Sequence, residues 1–497
     1  MKMKMKKKII TYTFAMLIAL YAMPLRAQQP KEVMSLQKAL DIANASSKAV
    51  AQYRNEYMSS YWTYVAYKAQ QLPQLTLKLT PMTYYRYITN RYDSGEDQDV
   101  YRQQQMLSTG GGLSITQKLP LTGGTFYINS SLDYMRNFGN SRSTQYSSVP
   151  IRIGYNQTLI GYNPFKWDKQ IEPLKYEKSR KQLVYNISKV SEEVTSLFFS
   201  LALAQKEYEM AKNSKTIADS LFTVGSQRFK IASITQADLL TLKLDALNAG
   251  NTLENARTTL NRAMSQLAIY LRMEKTTSIV AEMPHEPILT QIDVSKAIEM
   301  AHLYNPKYAE LRQRRLESEQ NLQYTKRSSA FNAQIDASIG FNQVADNFSD
   351  AYKKPLHQEL VSVSVSIPLI DWGIRKGKVN KAKSDLALTL TEIEQDDLKM
   401  KEDIVLAVND FNIQGKLIKA AHEARDIASV AYQQIQRRFM IGKTDVNSLL
   451  LARSRQDDAQ RNYITALRNY WTVYYHIQSL TLYNFEHNIS LYDHFNF

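Results

Sequence analysis

The sequence predicts a mainly α-helical protein with a membrane β-barrel portion, and three observations carry that prediction. The first is a repeat. Arg438-Phe439-Met440-Ile441-Gly442, continued by Thr444 to Leu450, has an earlier copy 210 residues upstream in Arg228-Phe229-Lys230-Ile231-Ala232 and Ile234 to Leu240. The second is spacing. After each copy, Leu239, Leu242, Ala246, Ala249, Leu253, Ala256, Leu260, Ala263, Leu267 and Tyr270 step in threes and fours, as do Leu449, Ala452, Gln456, Ala459, Tyr463, Ala466, Tyr470, Val473, Ile477 and Leu480. Such a seam is the signature of coiled-coil packing. The third is a change of period from about three and a half to two in two separate stretches, which marks strands. The chain reads as a duplicated helix, strand and long helical hairpin, with each Arg-Phe motif at a bend.

The first 27 residues read as a signal peptide. Five lysines precede a short apolar run from Ile9 to Leu20, and Leu25-Arg26-Ala27 ends in the small residue that cleavage favours. Removing them takes away six cations and no acid, so the formal charge falls from +15 to +9. Acids and bases are interspersed rather than striped, so nucleic acid is not an expected partner. Cysteine is absent. Disulfides and N-terminal lipidation are excluded with it. Beyond the signal no run of eighteen apolar residues occurs, so a membrane role would need strands.

The first repeat is expected over 28–290. A helix from Ser35 to about Gln70 is closed by Pro73, strands fill 72–159, and a long hairpin occupies 164–274. The second repeat, 291–485, has a helix broken at Asn305-Pro306 where Ser47-Lys48 continues the first, strands within 331–367, and a hairpin over 373–481. A tail covers 486–497. The alternation gives four strands in the first repeat, containing Leu75-Leu79, Leu113-Ile115, Phe126-Tyr134 and Ile151-Leu159, and two in the second, with Val361, Val363 and Val365 facing one way. Gly110-Gly111-Gly112 is expected to open a strand. Residues 89–109, 136–149 and 342–359 are polar and read as long loops, whereas Pro120 to Gly124 reads as a tight turn; tyrosines crowd the strand ends. Long loops on one side, short turns on the other and an aromatic girdle are features of an outer-membrane barrel. A soluble sandwich with an aromatic core is the alternative.

The first long helix, taken from Pro164 to about Thr223, has Leu183, Ile187, Val190, Val194, Leu197 and Leu201 as its seam. Its partner from Gly373 to Arg438 has Leu386, Ile393, Met400, Ala407, Ile404, Phe411 and Ile418. Helices of this length call for a rod or a tunnel. The seven histidines show no metal-ligand spacing, no glycine loop precedes a helix to cradle phosphate, and no serine stands in a nucleophile elbow, so neither a cofactor nor catalysis is expected.

The paired bends, Leu159-Ile160-Gly161 entering one long helix and Ile367-Pro368-Leu369-Ile370-Asp371-Trp372-Gly373 entering the other, resemble the TolC family of outer-membrane efflux proteins. The resemblance covers the mature chain. It implies a homotrimer whose strands close one barrel in outer-membrane lipid above a periplasmic helical tunnel. It further implies docking of a periplasmic adaptor and an inner-membrane transporter, with passive export of drugs, small molecules or proteins. The docking candidates are Arg228, Phe229, Ala232, Arg438, Phe439 and Gly442. Phe229 and Phe439 could instead cap the seam, being in heptad register. Two departures stand out. The family contributes two strands per repeat, whereas a hairpin over 110–136 is inserted here, leaving a trimer barrel of twelve or about eighteen strands. The family's aspartate ring falls on Ser448 and Leu451, so Asp238, Asp445 and Ser448 are the pore-mouth candidates. A periplasmic coiled-coil adaptor or spacer without a pore is the second reading, and a secreted carbohydrate-active enzyme a third.

Overall fold

The computed structural model describes residues 31–497 except 94, 96, 139–141, 232–233, 275–277, 285–286, 288–289, 330, 442, 445 and 496. The signal peptide expected over 1–27 lies outside the described residues. In chain order the elements are β1 (Lys31–Met34), α1 (Leu36–Ser46), α2 (Lys48–Ala69), β2 (Gln74–Asp93), β3 (Gln98–Leu119), β4 (Gly124–Asn137), β5 (Ser143–Ile160), α3 (Pro164–Lys230) and α4 (Gln236–Tyr270). They continue with β6 (Ser278–Ala281), α5 (Val294–Tyr304), α6 (Pro306–Ser328), β7 (Asn332–Ala345), β8 (Leu356–Ser366), α7 (Ile374–Met440), α8 (Val446–Thr481), β9 (Tyr483–Asn484) and β10 (Ile489–Ser490).

The boundaries repeat as the sequence motifs do. α3 and α7 both have 67 residues, about 100 Å of helix each, and their starts at 164 and 374 are displaced by 210. α4 and α8 start at 236 and 446, the same displacement. Ahead of the strands a second displacement of 258 rules: α1 and α5 start at 36 and 294, α2 and α6 at 48 and 306, β2 and β7 at 74 and 332. The difference of 48 residues is the extra hairpin of the first half.

The helix expected unbroken from Ser35 to Gln70 is two helices. Ser47 is extended (φ −65°, ψ 149°) and its hydroxyl accepts from the Val50 amide at 3.2 Å, as Asn305 accepts from Lys307 at 2.8 Å before α6. Ser and Asn side chains offer the backbone a helix start, so a serine ends one helix here by capping the next. α2 then ends at Ala69, ahead of Pro73.

The chain divides into two compact units. The first comprises the described residues up to Gln52, Asn186–Asp293 and Ala407–Ser479. Here β1 pairs in parallel with β6, and the seam of α3 buries Val190, Val194, Phe198 and Leu201, while Ile187 and Leu197 are half-buried. Ala407 of α7 is buried too, as are Phe411 and Ile418, with the Phe411 ring 5.0 Å from Tyr470 of α8. Asn412 clamps the segment before α5, accepting from the Ile292 amide and donating to its carbonyl, each at 3.0 Å.

The second unit comprises Tyr53–Tyr185, Val294–Leu406 and Leu480–Phe497. It holds one antiparallel sheet of six strands in the order β2-β3-β4-β5-β7-β8. Leu386, Ile393 and Met400 of α7 are half-buried here. α6 is tied to α7 by Arg314, whose guanidinium donates to Glu392 at 2.5 Å and Asp396 at 2.8 Å.

Two of the three expected loops are corrected. Residues 89–109 are paired strand but for the turn between Asp93 and Gln98, and the stretch 136–149 is strand but for the connection between Asn137 and Ser143. Only 342–359 keeps a connection of its own, with a 3₁₀ turn at Asp350–Tyr352. The reason is that a hairpin satisfies its backbone hydrogen bonds whatever the polarity of its side chains. The glycine triplet likewise lies inside β3 rather than opening it, and α3 runs past Thr223 to Lys230.

Candidate functional site

Each hairpin ends in a short turn, between Lys230 and Gln236 and between Met440 and Val446. At the first, Gly225 in α3 leaves room for Leu242 of α4; a Cβ there would collide with the leucine methyl. Arg228 and Phe229 follow in the last turn, Arg228 exposed and Phe229 40% exposed. Ile231 stands in the turn itself at 75% exposure. At the second bend Arg438 is exposed and its carbonyl accepts from the Lys443 amide at 2.8 Å, closing the helix end. Ile441, displaced by 210 from Ile231, is 66% exposed. Phe439 lies in the last turn of α7. Ala232, Gly442 and Asp445 lie outside the described residues. Arg228 with Lys230, and Arg437 with Arg438, put cations at the negative ends of the helix dipoles.

The exposed isoleucines are the contact candidates the sequence reading passed over. An isoleucine just beyond a helix end, with polar residues after it, was the available signal.

Asp238 is an exposed residue in the first turn of α4, and its position has a structural account. The Thr235 hydroxyl accepts from the Asp238 amide at 3.1 Å, and the Asp238 carboxylate accepts from the Thr235 amide at 3.0 Å and its hydroxyl at 2.7 Å. This is a capping box. The Thr235 hydroxyl and amide together hold the carboxyl below the usual aspartate range. In the second repeat the sequence exchanges the two types, Asp445 corresponding to Thr235 and Ser448, which is half-buried, to Asp238. The structure thus puts Asp238 and Ser448 in the first turns of the returning helices.

The other notable feature is the sheet. Both of its outer strands, β2 and β8, have an unpaired edge among the described residues. On β2, Leu75, Leu77 and Leu79 are exposed on one face, and on β8 Val361, Val363 and Val365 do the same, alternating with serines. In water such a surface would be an aggregation template. No described helix is long and apolar enough to cross a membrane.

Residues 297–481 match the family model described as outer membrane efflux protein. A search of curated proteins finds no match. Among solved structures the chain is similar to the CmeC outer membrane channel of Campylobacter jejuni, at 11% identity over 90% of this chain and 85% of that one, with a TM-score of 0.65. It is similar also to the outer membrane protein VceC of Vibrio cholerae (13%, 90% and 95%, 0.59) and to the open-state MtrE outer membrane channel of Neisseria gonorrhoeae (13%, 90% and 88%, 0.58). The fold is that of outer membrane channels. The chain carries an outer membrane efflux protein domain, as its resemblance to the TolC family implied, and is an outer-membrane protein with a large periplasmic part.

Proposed function

We propose that three copies of this chain close a single barrel of about eighteen strands in the outer membrane, and that their hairpins form a periplasmic conduit for passive export. One observation carries the reading: a six-stranded sheet with two open edges and exposed leucines and valines on its outer strands. Open edges are not tolerated in lipid, and closed barrels begin at about eight strands. One copy therefore falls short, and three supply a barrel wide enough to hold water. The inserted β3–β4 hairpin is part of the sheet in this reading, which favours about eighteen strands over twelve. The bends, carrying Phe229, Ile231, Ile441 and the flanking arginines, are the surface offered to a periplasmic adaptor and through it to an inner-membrane transporter. Asp238 and Ser448 act in this reading as helix-start residues.

Detergent extraction of washed outer membranes followed by light scattering tests the assembly. The expected particle has three times the chain mass and, reconstituted in a planar bilayer, conducts ions. A monodisperse monomer with full strand content overturns the proposal, and a trimer without conductance favours a spacer instead.

A further inference from the structure

The two repeats make the same junction between strand and long helix, but only one of the junctions is covered. In the first, Tyr162 packs on α6: the Gln320 amide donates to its hydroxyl at 2.8 Å and the Tyr324 ring stands edge-on at 5.1 Å. Ahead of it, β5 runs to Ile160, paired with β7 in the register Tyr155↔Ala337, Gln157↔Ile335 and Ile160↔Ala333. In the second, β8 stops at Ser366, leaving Ile367, Leu369 and Ile370 exposed and Trp372 bare at 92% exposure. That junction is nonetheless fixed in shape. Asp371 accepts from the Gly373 amide at 3.0 Å and from the Arg375 amide at 2.9 Å, and Trp372 and Gly373 are both left-handed, with φ of 52° and 91°. Left-handed backbone is disfavoured for a non-glycine residue. A strained, rigid and wholly exposed tryptophan points to a missing partner.

We infer that the partner is α2 and β2 of a second copy, seated in the register that the covered junction dictates; the inference rests on the trimer reading above. The covered contact joins β5 and its connector to α6 and β7. Their equivalents are β8 and its connector, displaced by 210, and α2 and β2, displaced by 258 in the other direction. Carrying the internal pairs across these displacements sets Val365 of one copy opposite Leu79 of the next, Ile367 opposite Leu77, and Ile370 opposite Leu75. The same mapping lays Trp372 on Trp62 and Ala66, the places of Gln320 and Tyr324. Trp62 is 59% exposed on its own chain, and β2 has a free edge to receive β8. β8 then lengthens through Ile370, as β5 reaches Ile160. Because the two contributing surfaces lie at opposite edges of one sheet, the contact is head-to-tail, and such contacts close into rings when the rotation permits.

The absence of native cysteine allows a direct test on the full chain in outer membranes. A Val365→Cys, Leu79→Cys double variant is expected to give reducible covalent dimers and trimers on oxidation. Val365→Cys with Leu75→Cys, four residues or about 13 Å out of register, is expected to give none. Cross-linking confined to the 365/75 pair, or none at 365/79 in a preparation that light scattering shows to be trimeric, overturns the register and leaves the trimer standing. Monomeric wild-type protein overturns both. Should the cysteine pair impair assembly, Trp62→Ala and Trp372→Ala give a second measure. Their effects on the trimer's melting are expected to be coupled, the double variant being no worse than the more severe single one; additive effects overturn the contact.

Discussion

Arg272 and Leu482, 210 residues apart, each follow a returning helix in left-handed backbone, with φ of 57° and 49°. The geometry is shared but its support is not. Arg272 is exposed and its guanidinium donates to the Ser46 carbonyl at 3.3 Å, whereas Leu482 is fully buried and its carbonyl accepts from the Leu491 amide at 2.9 Å. Arg272→Gly relieves about 1 kcal/mol of strain and loses a hydrogen bond of similar worth, so stability should change little. Leu482→Gly relieves the same strain but empties a core site, at a net cost on the order of 2–4 kcal/mol. Melting of the detergent-solubilised protein checks this, and equal losses for the two variants would refute it.

The capping box makes a pH prediction. Since Asp238 has a lowered folded pKa, its contribution is fully present above the ordinary aspartate value of 3.8 and is lost as pH falls through the folded value. Hydrogen exchange at the amides of 235–239 should therefore accelerate only in strong acid, and Asp238→Asn should accelerate it already at neutral pH. Under the capping role, ion selectivity in planar bilayers is unchanged by Asp238→Asn. A shift away from cations would instead make Asp238 a pore-mouth charge.

How far these features were legible in the sequence follows from what each residue pattern encodes. Alternation located the six strands because one face of each carries a run of apolar residues, as at Leu75-Leu77-Leu79 and Val361-Val363-Val365. It could not give their lengths, because beyond the apolar band the β2–β3 hairpin is polar on both faces and pairs through its backbone. The helix break at Ser47 was hidden because serine is tolerated in helices and reveals itself only as a cap. The bends were legible from the repeat, but Ile231 and Ile441 resembled one more seam position. Trp372 gave no sign of being bare, since the same motif is covered at Tyr162.

Those long strands carry a topological prediction. A membrane strand needs about 9–11 residues, which β8 has with 11, while β2 and β3 have 20 and 22. The excess, from about Thr89 to Arg102, should project beyond the bilayer on the side away from the helices. The Pro120–Gly123 turn lies at the helical end, where the Asn163 amide donates to the Pro120 carbonyl. A large maleimide added to intact cells should modify Gln98→Cys and spare Leu121→Cys. Equal modification of the two would reject this topology.

The bends bear the last prediction. Ile231 and Ile441 are exposed apolar residues at equivalent places, each beside cations from the helix end, and a trimer would present six such bends. Exposed side chains contribute little to folding, so Ile231→Asp with Ile441→Asp should leave trimer yield and melting nearly unchanged. If the isoleucines are buried against an adaptor, the same double variant should lower export tenfold or more, because a desolvated carboxylate costs several times a lost apolar contact. Phe229, only 40% exposed, separates two roles by itself. Loss of export by Phe229→Ala at unchanged melting marks a docking residue, and a drop in melting that tracks the loss marks a packing one. The cations act through a different term. Arg438→Glu should weaken cross-linking to the adaptor more at low salt than at high, since exposed charges are screened over about 10 Å at 0.1 M ionic strength. Cross-linking that is indifferent to Arg438→Glu at every salt concentration would leave the isoleucines as the contact and remove the arginines from it.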